Sequence, residues 1–287
     1  MSALPQKPMT RDKTLGLIAG GGSFPLQVTR SAKKLGYHVA AAAFVNETIS
    51  EMGSVADQIA WLNLGQLGKL IQFLHQVKAE KVVFAGPINK PRAFNLRPDF
   101  RAIKFLVNLR SRNDNALLTA VADELTNEGF DVVSAIDFVP ELISPEGLLT
   151  RRRPSAAEKA DILFAWPLIK QIGRLDIGQC MVVKERAVIA VEAIEGTDET
   201  ILRAGRLSGN NLTVVKILKP GQDRRIDLPA MGLQTVKVMV RSGVTCLAFE
   251  AGSSLLFDKD KSVELADQHG ITMLGVDPDN LGKIQDL

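Results

Sequence analysis

The sequence predicts an α/β protein in which a Rossmann-like N-terminal domain with a parallel sheet precedes a second α/β domain. Apolar runs of strand length alternate with segments of helical periodicity along most of the chain. A glycine turn, Gly20 to Gly22, follows the first apolar run directly, as at the start of a βαβ unit. The length of 287 residues exceeds what one core usually serves, which favours two domains.

The first half repeats strand and helix. A strand at 15–19 leads through the glycine turn into an amphipathic helix that ends near Gly36, and a second apolar strand follows. A later strand is predicted at 81–85, after a helix with apolar residues at helical spacing. A further helix starts at Asn113 or Asp114 and ends at Glu128, and it leads into a strand at 130–135.

The boundary between the domains is predicted at about residue 150. Residues 142–162 combine Pro, Gly, Ser and a basic triplet without clear periodicity, which is typical of a linker. We therefore expect a loosely ordered start at 1–13, a first domain at 14–150 and a second domain at 151–287.

The second half is predicted to begin with a helix from Ser155 that closes at Gly173, with Glu158 completing a capping box. Two strands joined at Glu185-Arg186 come next, and a helix begins behind Thr197. The two joined strands are expected at 179–184 and 187–193, and further strands at 211–218 and 235–243.

Composition and charge narrow the class of function. A net charge of +3 with 23% charged and 46% hydrophobic residues describes an ordinary globular protein. Nucleic acid is a poor partner, because only one Tyr and two Trp are available for base stacking and no reader motif appears. Cys180 and Cys246 lack partners at metal-ligand spacing, so neither a zinc site nor a disulfide framework is expected. We expect a cytoplasmic chain that is neither exported nor membrane-spanning.

The loop at 219–232 concentrates charged side chains of both signs. Asp223 and Asp227 supply the hard oxygen ligands that Mg²⁺ prefers, while Lys219, Arg224 and Arg225 supply cations for phosphate oxygens. This mixture indicates phosphate ester or anhydride chemistry. The alternative is a solvated turn whose acids and bases pair with one another.

The loops that follow the first strands are the second candidate site. The turn at Gly20, Gly21 and Gly22 lets backbone amides approach a phosphate, although glycines at a tight turn need no ligand to explain them. Pro25 replaces the last glycine of the dinucleotide fingerprint, which disfavours a nicotinamide cofactor.

Three residues that follow the strand at 81–85 are expected to contact the same ligand. They are Gly86, Asn89 and Lys90, since ligands gather at the carboxyl ends of parallel strands. A plain turn is the alternative reading of this loop.

The third candidate site is an acidic cluster around the start of the helix behind Thr197. In the functional reading Glu195, Asp198 or Glu199 lies near the phosphate site. In the structural reading Thr197 or Asp198 only caps the helix.

Six segments, in this order, resemble the LpxI-type UDP-2,3-diacylglucosamine pyrophosphatase family. They are GLIAGGGSFP at 16–25, FAGPINKP at 84–91, IGRLDIGQ at 172–179, VEAIEGTDE at 191–199, KPGQDRRIDLPAMG at 219–232 and LGVDP at 274–278. The resemblance spans about residues 14–280, and its later motifs are the specific ones.

The resemblance implies a two-domain hydrolase of lipid A biosynthesis. Such an enzyme cleaves the pyrophosphate of UDP-2,3-diacylglucosamine to lipid X and UMP with Mg²⁺, with its ligand between the domains. The family's catalytic aspartate lies in an Asp-Leu-Pro motif, which Asp227 matches here.

Together, the chemistry and the resemblance give a predicted site. The catalytic residue is Asp227, and the metal ligands are Asp227, Asp198 and Asp223. The substrate-binding residues are Gly20, Gly21, Gly22, Gly86, Asn89, Lys90, Thr197, Lys219, Gln222 and Arg225.

A diacylated substrate implies peripheral attachment to the cytoplasmic face of the inner membrane. The candidate apolar contacts are Phe94, Phe100, Phe105 and Leu106, in a stretch that reads equally well as a half-buried helix. A homodimer is also expected. Two rival functions stay open, a non-catalytic nucleotide-sugar-binding regulator and a nucleotide-dependent oxidoreductase.

Overall fold

The computed structural model describes residues 13–88, 99–102, 114–226 and 228–286. Within these ranges the chain forms two compact units. The first unit extends to Pro140 and includes residues 223–226, and the second contains the remainder. Both units combine strands and helices, which confirms the predicted α/β class. No helix in the described ranges is long and apolar enough to cross a membrane.

The first unit is built on a parallel sheet. Its strands are β1 (Thr14–Ala19), β2 (His38–Phe44), β3 (Gln58–Leu62), β4 (Lys81–Ala85) and β5 (Asp131–Val133). Its described helices are α1 (Phe24–Lys34), α2 (Met52–Val55), α3 (Leu67–Gln76) and α4 (Asp114–Asn127). The strand order is β3-β2-β1-β4-β5, with every pair parallel. The order therefore reverses between β1 and β4, the position at which such sheets bind ligands.

Burial explains the continuous apolar strands of the first unit. Leu15 and Leu17 of β1 and the alanines of β2 are fully buried, as expected for strands covered on both faces. β5 ends at Val133, before the predicted residue 135, because the Ser134 hydroxyl accepts a hydrogen bond from the backbone N–H of Ile136 and starts a 3-10 turn.

The second unit contains a six-stranded mixed sheet. Its strands are β6 (Gly147–Leu148), β7 (Cys180–Lys184), β8 (Ala187–Val191), β9 (Leu212–Lys216), β11 (Val244–Glu250) and β13 (Thr272–Val276), in the order β6-β13-β11-β9-β7-β8. A separate parallel pair is formed by β10 (Ala230–Met231) and β12 (Leu255–Leu256). Its described helices are α5 (Ala156–Arg174), α6 (Thr197–Ser208), α7 (Leu233–Arg241) and α8 (Lys259–Gln268).

Strand direction decides which edge of this sheet collects functional groups. β9, β11 and β13 are mutually parallel, while β7 is antiparallel to both of its neighbours, β9 and β8. The carboxyl ends of β8, β9, β11 and β13 therefore share one edge with the start of β7.

The segment 142–162, which the sequence presents as a linker, is ordered within the second unit. β6 pairs antiparallel with β13, and the Arg152 guanidinium donates to both carboxylate oxygens of Glu158 at 3.0 Å. The units divide between Pro140 and Glu141, earlier than the boundary expected near residue 150. Proline, glycine and charge in this segment thus serve strand pairing and helix capping.

The predicted strand at 235–243 is wrong, because these residues lie mainly in helix α7. Thr235, Val236 and Met239 are buried and Lys237 is exposed, which is the spacing of one helical face. The valine-rich composition suggested a strand, but packing of this face overrides β-propensity.

The predicted capping box at the start of α5 is confirmed. The Glu158 backbone N–H donates to Ser155 Oγ at 3.3 Å, and the Ser155 backbone N–H donates to Glu158 Oε2 at 2.7 Å. The helix continues one residue past Gly173. A Cβ at Gly173 would lie 3.0 Å from Pro220 Cδ, so a larger residue there would be tightly packed against that ring.

Candidate functional site

The glycine turn packs directly against the loop that follows β4. The backbone N–H of Gly20 donates to the Ala85 carbonyl at 2.8 Å, and that of Gly21 donates to the Pro87 carbonyl at 2.7 Å. A Cβ on Gly20 would lie 2.4 Å from the Gly86 carbonyl oxygen. Close approach of two backbones therefore requires glycine at position 20, and these two amides already have protein acceptors.

Gly22 and Gly86 complete this loop pair in different ways. Both have positive φ, 74° and 87°, which favours glycine. A Cβ on Gly22 would meet nothing within 4 Å, so this end of the turn is open. Asn89 and Lys90, predicted to contact the same ligand, lie outside the described residues.

Residues 223–226 belong to the first unit although they follow most of the second in sequence. The Ile226 side chain packs against the first unit's core cluster. The Ser134 hydroxyl donates to the Arg224 carbonyl at 2.9 Å, and Arg225 Nη2 donates to Asp123 Oδ1 at 3.2 Å. This half of the predicted loop is thus fixed on α4 and on the carboxyl end of β5.

Asp223 is the one predicted metal ligand on that segment whose placement the structure describes. Arg225 donates to both of its carboxylate oxygens, and these hydrogen bonds hold the Asp223 pKa below its usual range. Within the described part of the chain, no three His, Cys, Asp or Glu side chains come together in a way that could hold a metal ion. The described donors therefore do not fit Mg²⁺ by themselves, and Asp227 lies outside the described residues.

The second unit gathers charged side chains at the carboxyl edge of its sheet. Glu192 follows β8, Lys216 ends β9 and Glu250 ends β11, and each is buried. Because parallel strands end together at this edge, residues distant in sequence become neighbours.

Thr197 links two of these charges. Lys216 Nζ donates to Thr197 Oγ1 at 3.1 Å and to the Ala230 carbonyl at 2.7 Å. The Thr197 hydroxyl donates to Glu192 Oε1 at 3.3 Å. The N-cap of α6 is Gly196, without any side-chain cap bond, so Thr197 and Asp198 do not cap this helix.

Burial dominates the electrostatics of this cluster. It raises the pKa of the Glu192 carboxyl, although the Lys216 charge and hydrogen bonds from the Gln179 backbone N–H and the Thr197 hydroxyl act in the opposite direction. Burial likewise raises the pKa of the Cys180 thiol. Cys180 is a free, buried cysteine that pairs opposite Lys216 in the sheet.

The remaining predicted residues of the second unit lie around this edge. Lys219 Nζ is 2.6 Å from Asp176 Oδ1, and the buried Gln222 donates its backbone N–H to the Lys219 carbonyl. Asp198 lies half-buried in the first turn of α6. Glu195, a further acid of the cluster, pairs with Arg203 at 2.5 Å.

Glu250, a second buried acid at this edge, pairs with a lysine of helix α5. Lys170 Nζ lies 2.6 Å from Glu250 Oε2, and the Leu218 backbone N–H donates to the same oxygen at 3.1 Å. This pair fixes the chain as it leaves β9 and enters the loop that carries Lys219.

Exposed apolar side chains flank the same edge. Leu175 is 69% exposed, Ile194 is 89% exposed, and Ile177 is also exposed. Their two loops meet where Gly178 touches the Glu192 backbone, since a Cβ on Gly178 would lie 1.9 Å from the Glu192 carbonyl oxygen. In the first unit Phe100 is 86% exposed, while Phe94, Phe105 and Leu106 lie outside the described residues.

Sequence reasoning missed the buried charges Glu192, Lys216 and Glu250. The sequence contained a sign of their importance, because each is a single charged residue at or just after the end of an apolar strand. In a strand covered on both faces, such a charge needs a specific reason.

Two family models match the chain in order. The LpxI N-terminal domain matches residues 14–142, and the LpxI C-terminal domain matches residues 145–274. The UDP-2,3-diacylglucosamine pyrophosphatase LpxI of Caulobacter vibrioides is 35% identical over 283 residues, covering 93% of this chain and 98% of that protein.

Solved structures align only weakly. N5-carboxyaminoimidazole ribonucleotide synthetase from Thermotoga maritima aligns with a TM-score of 0.27 and 13% identity, over 64% of this chain and 42% of that chain. A UDP-N-acetylmuramate:L-alanyl-gamma-D-glutamyl-meso-diaminopimelate ligase from Neisseria meningitides aligns with a TM-score of 0.28 and 12% identity. The alignment covers 91% of this chain and 76% of that chain. Similarity at this level carries no argument.

Proposed function

The chain belongs to the LpxI family, and from that membership we propose that it hydrolyses the diphosphate of UDP-2,3-diacylglucosamine in lipid A biosynthesis. The observation that carries the proposal is the ordered match of both domain models, together with a pyrophosphatase relative that aligns over nearly its whole length. The protein is accordingly a hydrolase that acts on a phosphoric anhydride. Its products are UMP and lipid X, which is 2,3-diacylglucosamine 1-phosphate.

The chemistry of this reaction explains why cations are needed. A diphosphate diester carries two negative charges that repel an incoming hydroxide, so a catalyst neutralises oxygens and places water in line with the leaving group. Lys219 and Arg225 are proposed to contact phosphate oxygens in exchange for part of their present contacts with Asp176 and Asp223. Asp227 is proposed to orient the water.

One water is consumed, and the P–O–P bridge is cleaved. We propose that water attacks the phosphorus next to the sugar, so that its oxygen enters lipid X and UMP departs as the leaving group. Hydrolysis in ¹⁸O-labelled water measures this directly. Label in UMP alone contradicts the assignment while leaving the overall activity intact.

Mg²⁺ belongs to the proposal as a cofactor that would supply charge neutralisation at the diphosphate. The described carboxylates do not by themselves form a ligand set for this ion.

Peripheral association with the cytoplasmic face of the inner membrane is part of the same proposal, since a diacylated substrate resides in a bilayer. Exposed Leu175, Ile177 and Ile194 support an apolar contact beside the polar cluster, and Phe100 supports a separate one in the first unit. A homodimer remains a prediction.

The decisive experiment incubates the purified full chain with UDP-2,3-diacylglucosamine and Mg²⁺ and measures UMP by chromatography. Wild-type protein is expected to release UMP, and Asp227→Asn is expected to bind substrate but release none. Substrate binding without UMP release by the wild type indicates the non-catalytic regulator instead. Nicotinamide turnover would point to the oxidoreductase.

A further inference from the structure

Lys216 is a buried lysine at the end of an otherwise apolar strand. Its residue surface is 3% exposed, and its ammonium donates to Thr197 Oγ1 and to the Ala230 carbonyl. Both acceptors are neutral. No carboxylate in the described ranges forms a direct ion pair with this ammonium, and the Glu192 carboxyl acts on it from beyond Thr197. Burying a charge without a direct partner of opposite charge is unfavourable.

The ammonium has hydrogen-bonding capacity left over. A protonated lysine has three N–H donors, and the described contacts use two of them. An anionic oxygen would accept the third hydrogen bond, and hydrogen bonds between charged groups are the stronger ones. Phosphoryl oxygens have this chemistry.

Thr197 and Glu192 fix the direction in which the lysine points. A threonine hydroxyl has one proton, and here it is donated to Glu192 Oε1. The hydroxyl lone pairs are then directed to Lys216 Nζ, 3.1 Å away. Glu192 is 7% exposed and is held from its other side by the Gln179 backbone N–H. The order of contacts is therefore Glu192 to Thr197 to Lys216.

Thr197 is the most exposed member of the three contacting residues. Lys216 and Glu192 are buried, whereas Thr197 is only half-buried. The first turn of α6 already carries Asp198 and Glu199, which complement the helix dipole. The N–H of Lys216 that the described contacts leave over, rather than the helix end, is what an anionic oxygen would bind.

We propose that Lys216 is the buried cation of the second unit that binds a phosphoryl oxygen of the diphosphate substrate, and that Thr197 and Glu192 position it. This inference rests on the proposed function, because that function supplies the diphosphate. It adds Lys216 and Glu192 to the site and gives Thr197 a positioning role.

Inorganic pyrophosphate serves as the probe, with binding to the full chain measured by calorimetry. Lys216→Met keeps the length of the side chain but removes the charge, and it is expected to weaken pyrophosphate binding by about tenfold or more. The matched control is Lys184→Met. Lys184 lies at the opposite end of β7 and donates to the Ser208 carbonyl, so its loss should leave affinity unchanged.

Thr197 variants separate positioning from folding. Thr197→Ser keeps the hydroxyl and should retain near wild-type affinity, whereas Thr197→Val should lose affinity several-fold. If the contacts among Glu192, Thr197 and Lys216 only stabilise the fold, the valine variant should have a lower melting temperature and an unchanged affinity for pyrophosphate. If Lys216→Met does not fold, the Thr197 pair decides the question, and equal affinities for Val and Ser overturn the proposal.

Hydrolysis of UDP-2,3-diacylglucosamine is assayed separately. Suppose that the wild-type protein hydrolyses the substrate and that Lys216→Met has an unchanged KM and an unchanged affinity for pyrophosphate. This result overturns the inference and leaves the proposed function standing. Lys216-dependent pyrophosphate binding without wild-type turnover supports the anion site and overturns the proposed function.

Discussion

Arg225 holds both carboxylate oxygens of Asp223 across a two-residue turn. Nη2 lies 2.6 Å from Oδ2, Nε lies 3.0 Å from Oδ1, and the Arg225 backbone N–H also donates to Oδ1 at 3.0 Å. The sequence suggested that Asp223 binds metal and Arg225 binds phosphate. Each now has the other as its partner, so a ligand at either residue must replace part of this contact.

Asp223→Asn is expected to lower the unfolding free energy at neutral pH by about 1 kcal/mol or less, since Arg225 is 36% exposed and solvent screens the pair. The pKa of Asp223 is lowered in the folded state. Its stabilisation is therefore present above the unfolded pKa of about 3.9 and disappears as pH falls through the folded value. Urea unfolding at several pH values measures the difference. Asp131→Asn, which removes a longer 3.8 Å surface contact to Lys81, is the control, and identical behaviour of the two variants contradicts the prediction.

Glu192→Gln should show the opposite dependence on pH. Because burial raises the folded pKa of Glu192, the folded state holds that proton more tightly than the unfolded state does. Wild-type stability should then fall relative to the glutamine variant as pH rises from about 4.3 through the raised value. Urea unfolding between about pH 4 and pH 8 tests this. For Glu195→Gln the pH dependence of the stability difference should have the opposite sign, because hydrogen bonds from the backbone and from Arg203 lower the Glu195 pKa.

Gly20→Ala should destabilise the protein by about 1–3 kcal/mol through overpacking. The new Cβ would meet the Gly86 and Pro87 carbonyl oxygens at 2.4 and 2.6 Å, and neither is a flexible side chain that can move aside. Gly53→Ala is the matched control, since a Cβ there meets nothing within 4 Å and the residue lies in helix α2. Thermal unfolding of both variants measures the effect. Equal melting temperatures for the two would contradict the packing argument.

Removal of divalent metal is expected to abolish UMP release from UDP-2,3-diacylglucosamine. In the proposed reaction Mg²⁺ would neutralise diphosphate oxygens, so dialysis against a chelator should stop turnover and added Mg²⁺ should restore it. A parallel calorimetric titration with substrate distinguishes loss of chemistry from loss of binding. Full turnover after exhaustive chelation would remove Mg²⁺ from the proposal.

If the proposed membrane contact uses Leu175 and Ile194, replacing both with Ser should weaken binding to vesicles that contain anionic phospholipid by about tenfold, because two apolar side chains would be lost from the interface. Sedimentation with vesicles measures the bound fraction. Leu207→Ser is the control, since Leu207 is 67% exposed at the far end of α6. Phe100→Ser tests the contact that the sequence suggested. Loss of binding with Phe100→Ser alone would assign the membrane contact to the first unit.

Local signals in the sequence identified much of the fold. The strand Lys81–Ala85 was predicted to the residue, because an apolar run meets a Gly-Pro break, and the Ser155 capping box formed as expected. Helix α7 was missed because its valines favour a strand locally, while the alternation of buried and exposed positions that makes it a helix depends on what it packs against.

The site was less predictable than the fold. That Thr197 lies between Lys216 and Glu192 follows from the order of strands in the second sheet, which no local pattern encodes. The pairing of Asp223 with Arg225 corresponds to the alternative that the sequence left open, a turn whose acids and bases bond to one another.

Residues 223–226 form part of the first unit, with Ile226 packed on its core, even though residues 141–222 precede them in the second. A ribosome that has completed Pro140 has therefore not yet made all of the first unit. Final consolidation of the N-terminal half must wait for translation to pass Ile226, and a proteolytic fragment that ends at Pro140 would lack a piece of its own interior.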